Sequence, residues 1–347
     1  MMFLFLLLII FLLQNNLLSL PNNSYFLKER YSHSDGRLLF LLSMNANSRY
    51  PGKCIPKLVP QLSSYFYITS EKVVCDKRGN KCVFYVLTDL KSRTLIFVFR
   101  GPKGSFQLHQ QMVLLKNRRE DFLKLGLVNS YIFNAHQSMW NSIKKQLLKS
   151  YFISFSVILT GYSLGGAIAS LTALRIVAES LRNSNQISLY TFGQPRIGSL
   201  VFAKNFDSRV RNNFRVVLAF DYISHIPPCK KMRKRRFWSF LLKKSSPCNP
   251  YDTDTYYHQG IEIWYPTSHM TSSSYKVCNG FPKGEDFKCS DQIAFKTNDI
   301  EKYKKYHEHY FDDLKNEFPD LIHNNYDENC KINKNSKKSN ENKYSMH

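Results

Sequence analysis

Acidic side chains are the scarce class in this chain: 26 Asp and Glu stand against 49 Lys and Arg, a formal net charge of +23 over 347 residues. That excess bears on partners and leaves the fold open. Long apolar runs are also scarce. The longest, Met2 to Leu13, falls short of the about 20 residues that a bilayer span needs. Followed by Gln14-Asn15-Asn16, it is expected to be the apolar part of a signal peptide over residues 1–20. No Lys or Arg precedes it; an uncleaved anchor is the weaker alternative. No C-x-x-C pair occurs, which removes the usual spacing of a zinc site, and neither a metal nor a cofactor is expected. There are no internal repeats. The eight cysteines, an even number, suit an oxidising, extracellular compartment.

Their positions suggest pairs. Cys75–Cys82 would flank a hairpin tip, Cys229–Cys248 a basic insertion over 230–247, and Cys278–Cys289 a Gly/Pro loop, leaving Cys54–Cys330. Only the even number is firm, because eight cysteines allow many connectivities. Asn22, in Asn22-Asn23-Ser24, is the one N-glycosylation acceptor. The chain reads as one domain over 21–330 with a basic, disordered tail over 331–347.

What is present is organised around Thr160-Gly161-Tyr162-Ser163-Leu164-Gly165-Gly166-Ala167. An apolar, β-branched run over 155–159 precedes it and a helix-forming run over 167–174 follows. Strand, G-x-S-x-G and helix together make a nucleophile elbow. A serine at so sharp a turn sits in strained backbone, so its neighbours must lack bulk. The N–H of Leu164 would face a developing oxyanion.

Other runs set the frame. Residues 62–74 and 83–87 read as strands of a hairpin, and 95–99, 187–192, 214–220 and 261–265 read as further strands. Apolar residues at three- to four-residue spacing predict a helix over 128–149. Strands alternating with helices give an α/β fold, a doubly wound sheet with ligands at the carboxyl ends of its strands.

A serine nucleophile needs a base, and the base needs an orienting carboxylate. Asp221 follows a strand and precedes Tyr222-Ile223-Ser224-His225-Ile226-Pro227-Pro228. The histidine stays open on spacing alone: His225, His258, His269, His307, His309 and His323 all follow Asp221.

Several spaced segments resemble the fungal-type, class 3 lipases of the α/β-hydrolase fold. They are Phe97-Val98-Phe99-Arg100-Gly101, Thr160 through Gly166, Tyr190 through Gly198, Arg215 through Pro228, and Gly260 through Tyr265. With its cysteines, the pattern is similar to the secreted lipase-like proteins of nematodes. The resemblance implies a mostly parallel central sheet with helices on both faces, stapled by disulfides. It implies Ser163 as nucleophile, Asp221 as acid and His307 as base, the last in His307-Glu308-His309-Tyr310-Phe311. His258 would be structural and His309 is the nearest competitor. A secreted serine ester hydrolase acting on triacylglycerol-like lipid esters is the expectation. A phospholipase A1 or a general carboxylesterase stands second.

Two departures from the family pattern matter. Pro102 stands where the family has Ser or Thr as an oxyanion donor, and proline has neither hydroxyl nor N–H. Lys103 or Gln107 would have to substitute. A lipase fold that binds lipid or glycosaminoglycan without cleaving it therefore stays open. Tyr162 stands where the family has His. Two surface segments remain. Residues 103–125 would be either a lid or an ordinary surface helix. Residues 230–244 wrap Lys and Arg around Phe237, Trp238 and Phe240, which suits either an anionic membrane or lipid-droplet surface or a solvated loop. The signal peptide argues against nucleic acid as the partner of all this charge.

Overall fold

The structure, a computed structural model, describes residues 30–48, 50–58, 64–76, 79–101, 118–232 and 245–318. The leader over 1–20, Asn22, Pro102, Lys103, Gln107, the middle of the basic insertion, Cys330 and the tail over 331–347 lie outside the described residues.

The strands are β1 (Tyr65–Val74), β2 (Lys81–Asp89), β3 (Thr94–Phe99), β4 (Arg119–Asp121), β5 (Leu127–Asn129), β6 (Ser156–Tyr162), β7 (Ile187–Phe192), β8 (Gly198–Ser199), β9 (Asn212–Leu218), β10 (Tyr256–Tyr257), β11 (Ile261–Tyr265) and β12 (Lys276–Cys278). Eight of them form the main sheet, in the order β1-β2-β3-β6-β7-β9-β11-β12, and β10-β8-β5-β4 form a small second one. From β3 through β6, β7 and β9 to β11 every pairing is parallel; the hairpin at one edge and β12 at the other are antiparallel. The sheet is therefore mostly parallel, as the resemblance implies.

The continuous apolar runs become central strands because both faces of the sheet are covered. All six residues of β3 are buried. Leu95, Phe97 and Phe99 point into one core, Ile96 and Val98 into the other. Burying each such side chain is worth about 1.5–3 kcal/mol. The first core is closed by α3 (Ser130–Leu147) and α4 (Leu164–Ala178), and the second by α1 (His33–Asn45). Helices lie on both faces.

The helix expected over 128–149 starts later, at Ser130, because the Asn129 side chain accepts from the N–H groups of Tyr131 and Ile132 and caps it. Helix α1 is an addition to the sequence reading. Ser32 caps it, and Ser43 touches Thr160 of β6 at 3.1 Å, oxygen to oxygen. Of the segment 103–125, expected to be a lid or a surface helix, residues 103–117 lie outside the described residues; residues 119–121 pair with Leu127–Asn129 as a strand and lead into buried Phe122. Helices α2 (Pro51–Leu58), α5 (Leu200–Arg209), α6 (Ile300–His307) and α7 (Asp313–Glu317) complete the set among the described residues.

Disulfides join Cys75 to Cys82, Cys229 to Cys248 and Cys278 to Cys289. Cys54 is also disulfide-bonded.

Candidate active site

The elbow is built by exclusion of side chains. Ser163, between β6 and α4, has φ 56° and ψ −124°, a region that costs a non-glycine residue about 1–3 kcal/mol. A Cβ on Gly161 would lie 2.4 Å from the carbonyl carbon of Gly165, and one on Gly165 would lie 2.3 Å from the Phe99 oxygen. Only glycine lets the turn pass this close to β3. The Ser163 N–H donates to the Phe192 carbonyl at 2.7 Å, which ties the strained residue to β7. Leu164 opens α4, so its N–H belongs to the first turn, where helical donors lack intrahelical acceptors and the helix dipole is positive.

Ser163 Oγ lies 2.9 Å from His307 Nε2, and His307 Nδ1 lies 2.9 Å from Asp221 Oδ2. All three side chains are buried. They reach one another from the end of β6, the loop after β9 and the last residue of α6. The strand expected over 214–220 ends at Leu218, and the chain turns through Ala219, at φ 39°, to deliver Asp221.

The carboxylate is held from several sides. Its Oδ1 accepts from the Ile223 N–H at 2.8 Å, and its Oδ2 from the Ser224 hydroxyl at 3.1 Å and the Tyr310 phenol at 2.7 Å. Burial alone would push the Asp221 carboxyl up. The His307 ring beside it, with hydrogen bonds from His307 and Tyr310, holds it below the usual carboxylate range instead. An ionised carboxylate on Nδ1 fixes the hydrogen there and turns the Nε2 lone pair toward Ser163.

His323 lies outside the described residues, and the other candidate histidines fall elsewhere. His309 contacts Asp312 at 2.8 Å in a half-exposed position. His269 sits on an exposed turn. His225 hydrogen-bonds the backbone carbonyl of Asp221 through Nδ1 at 2.9 Å, and burial with nearby Arg196 pushes it down to about 4. His258 Nε2 meets the Ser224 carbonyl. Burial, with Arg215 next, pushes it well below the usual imidazole range. It braces the residue whose hydroxyl serves Asp221.

Three contacts around Ser163, His307 and Asp221 go beyond the sequence reading. Gly193 has φ +59°, and a Cβ there would lie 2.6 Å from His307 Cε1 and 3.0 Å from Asp221 Oδ2. Tyr310 donates to Asp221. Tyr162 stacks on the His307 ring. Each falls inside a segment that carries the family resemblance, which is the signal that could have singled it out.

The comparisons with known proteins bear on what this arrangement belongs to. The family model "Lipase (class 3)" matches residues 96–231. Lipase ZK262.3 of Caenorhabditis elegans is 35% identical over 286 residues, 81% of this chain and 80% of that protein. The chain belongs to the class 3 lipase family. A lipase of Rhizopus niveus is 26% identical over 66% of this chain and 50% of that protein. The solved lipase II of Rhizopus niveus shares the fold, with a TM-score of 0.56 at 22% identity over 81% of this chain and 96% of that one. Family membership supports a lipid ester hydrolase.

Proposed function

We propose that this protein is a secreted serine hydrolase that cleaves carboxylic esters of lipids, triacylglycerol-like first, through an acyl-enzyme. The observation that carries the reading is the unbroken relay of Ser163 Oγ, His307 Nε2, His307 Nδ1 and Asp221 Oδ2, with 2.9 Å at each inter-residue step. Ser163 Oγ attacks the ester carbonyl and its proton passes to Nε2. The imidazolium that results is stabilised by the Asp221 carboxylate and then protonates the departing alcohol. Water, activated by the same nitrogen, releases the acid and restores the hydroxyl. The Leu164 N–H is the donor offered to the oxyanion. A second donor must come from the segment after Gly101, where Pro102 supplies no N–H. Secretion is supported by the leader expected over residues 1–20 and by the disulfides.

A substrate panel on purified mature protein tests the reading: tributyrin, a long-chain triacylglycerol, phosphatidylcholine and p-nitrophenyl butyrate. The expected order puts triacylglycerol first. Release of the sn-1 acid from phosphatidylcholine at a higher rate would instead make it a phospholipase A1. Turnover of the soluble ester alone would make it a general carboxylesterase. No turnover, together with no fluorophosphonate labelling of Ser163, would leave a lipid- or glycosaminoglycan-binding protein.

A further inference from the structure

Tyr162 immediately precedes the candidate nucleophile, yet its side chain serves the other end of the triad. Its ring lies nearly parallel to the His307 imidazole, with centroids 4.7 Å apart and planes 26° apart. Its phenol donates to the backbone carbonyl of that same residue. His307 ends α6, and terminal carbonyls of a helix lack intrahelical donors, so the phenol caps the helix that carries the imidazole. Edge contacts with Phe40 (5.8 Å) and Tyr310 (6.1 Å) hold the Tyr162 ring from the sides. Burial first, with Asp221 and Glu308 next, raises the phenol well above its usual range, so it stays a donor at any working pH.

We propose that Tyr162 is a positioning residue for His307: its hydroxyl locks the helix end in register with the elbow, and its π face braces the ring and favours the imidazolium formed during acyl transfer. This rests on the serine-hydrolase reading above. Charge develops on the imidazole only as the Ser163 proton arrives, and a cation over an aromatic face within about 6 Å of the centroid is attracted to it. The contact therefore strengthens on the way to the transition state, which is what raises kcat rather than lowering KM. Asp221, from the loop after β9, and Tyr310, just beyond α6, also face the His307 ring. Glu308 acts on Tyr162 and His225 on Asp221.

The test uses p-nitrophenyl butyrate with the parent, Tyr162→Phe, Tyr162→Leu and Ser163→Ala. Tyr162→Phe keeps the π face and loses the cap; the expected result is roughly threefold lower kcat at unchanged KM, with the pH profile in place. Tyr162→Leu loses both; kcat is expected to fall by at least about 10-fold, with the acid limb of kcat/KM moved toward lower pH. A purely structural role would move neither KM-corrected rate nor limb once folded protein is counted by circular dichroism. If Tyr162→Leu does not fold, Tyr162→Phe decides: parent-like kcat overturns the inference. An active parent with an inactive Ser163→Ala, beside parent-like Tyr162 variants, would sink this inference alone. A Ser163→Ala variant as active as the parent would sink the reading beneath it.

Discussion

The phenol of Tyr310 donates to the same oxygen of Asp221 that faces the Nδ1 of His307, at 2.7 Å and 2.9 Å respectively. The phenol oxygen in turn accepts from the Leu218 N–H at 3.0 Å, so one buried hydroxyl joins the end of β9 to the Asp221 carboxylate. Tyr310→Phe removes both contacts and leaves the Leu218 donor buried without its acceptor. A loss of about 1–3 kcal/mol is expected. Urea denaturation measures it, and a midpoint equal to the parent's would show the link to be idle.

Gly193 admits no side chain. Its φ is left-handed and a Cβ would press on His307 Cε1 at 2.6 Å and Nδ1 at 2.8 Å. Gly193→Ala must displace the ring or the loop. Displacement of reacting groups by about 1 Å can cost on the order of 100-fold in rate, and a loss of that size is expected in kcat for p-nitrophenyl butyrate. Retained activity would mean that the imidazole has room the geometry does not show.

Much of the sheet is legible from composition, because strands buried on both faces must be continuous apolar runs, as at Leu95–Phe99. Helix α1 is not, since Leu38 to Leu42 form an unbroken apolar block without helical spacing; its burial against β6 comes from tertiary packing. Strands of two or three residues, such as Gly198–Ser199, are too short to carry any alternation. In the candidate site, the elbow is legible because strain demands glycines around Ser163. His307 is not, because only the fold brings a helix end 144 residues further along the chain back to the serine. Its choice over His309 rests on the family pattern.

Acid should weaken this fold in a defined window. His136, His225 and His258 are all pushed below the unfolded value, in each case by burial first: His136 to about 3, His225 to about 4 and His258 well below. The unfolded chain binds protons at about 6.5, where the folded chain does not. Their contribution is therefore complete above pH 6.5 and is lost as pH falls toward 4, by about 1.4 kcal/mol per pH unit for each histidine. His136 isolates the effect: it is fully buried, and neither ring nitrogen has a hydrogen-bond partner among the described residues. His136→Phe should reduce the slope of unfolding free energy against pH between 4.5 and 6 by one such increment. An unchanged slope would contradict the assignment.

The loop that carries Asp221 leans on a buried ion pair. Arg196 contacts Glu285 at 2.7 Å and 3.1 Å, and it donates to the carbonyls of His225 and Pro227. Both side chains are almost fully buried. Removing one partner strands the other charge, which typically costs about 3–5 kcal/mol. Glu285→Ala should show that loss in guanidinium unfolding, and a smaller one under about 1 kcal/mol would mean that water or another group compensates.

The most direct measurement compares tributyrin hydrolysis by the mature protein and by Ser163→Ala at equal concentrations of folded chain. The parent is expected to release butyrate steadily and the variant to fall by at least about 10⁴-fold, to background. Equal rates from the two would contradict the account at its centre, because the hydroxyl at 163 would then have no part in the chemistry.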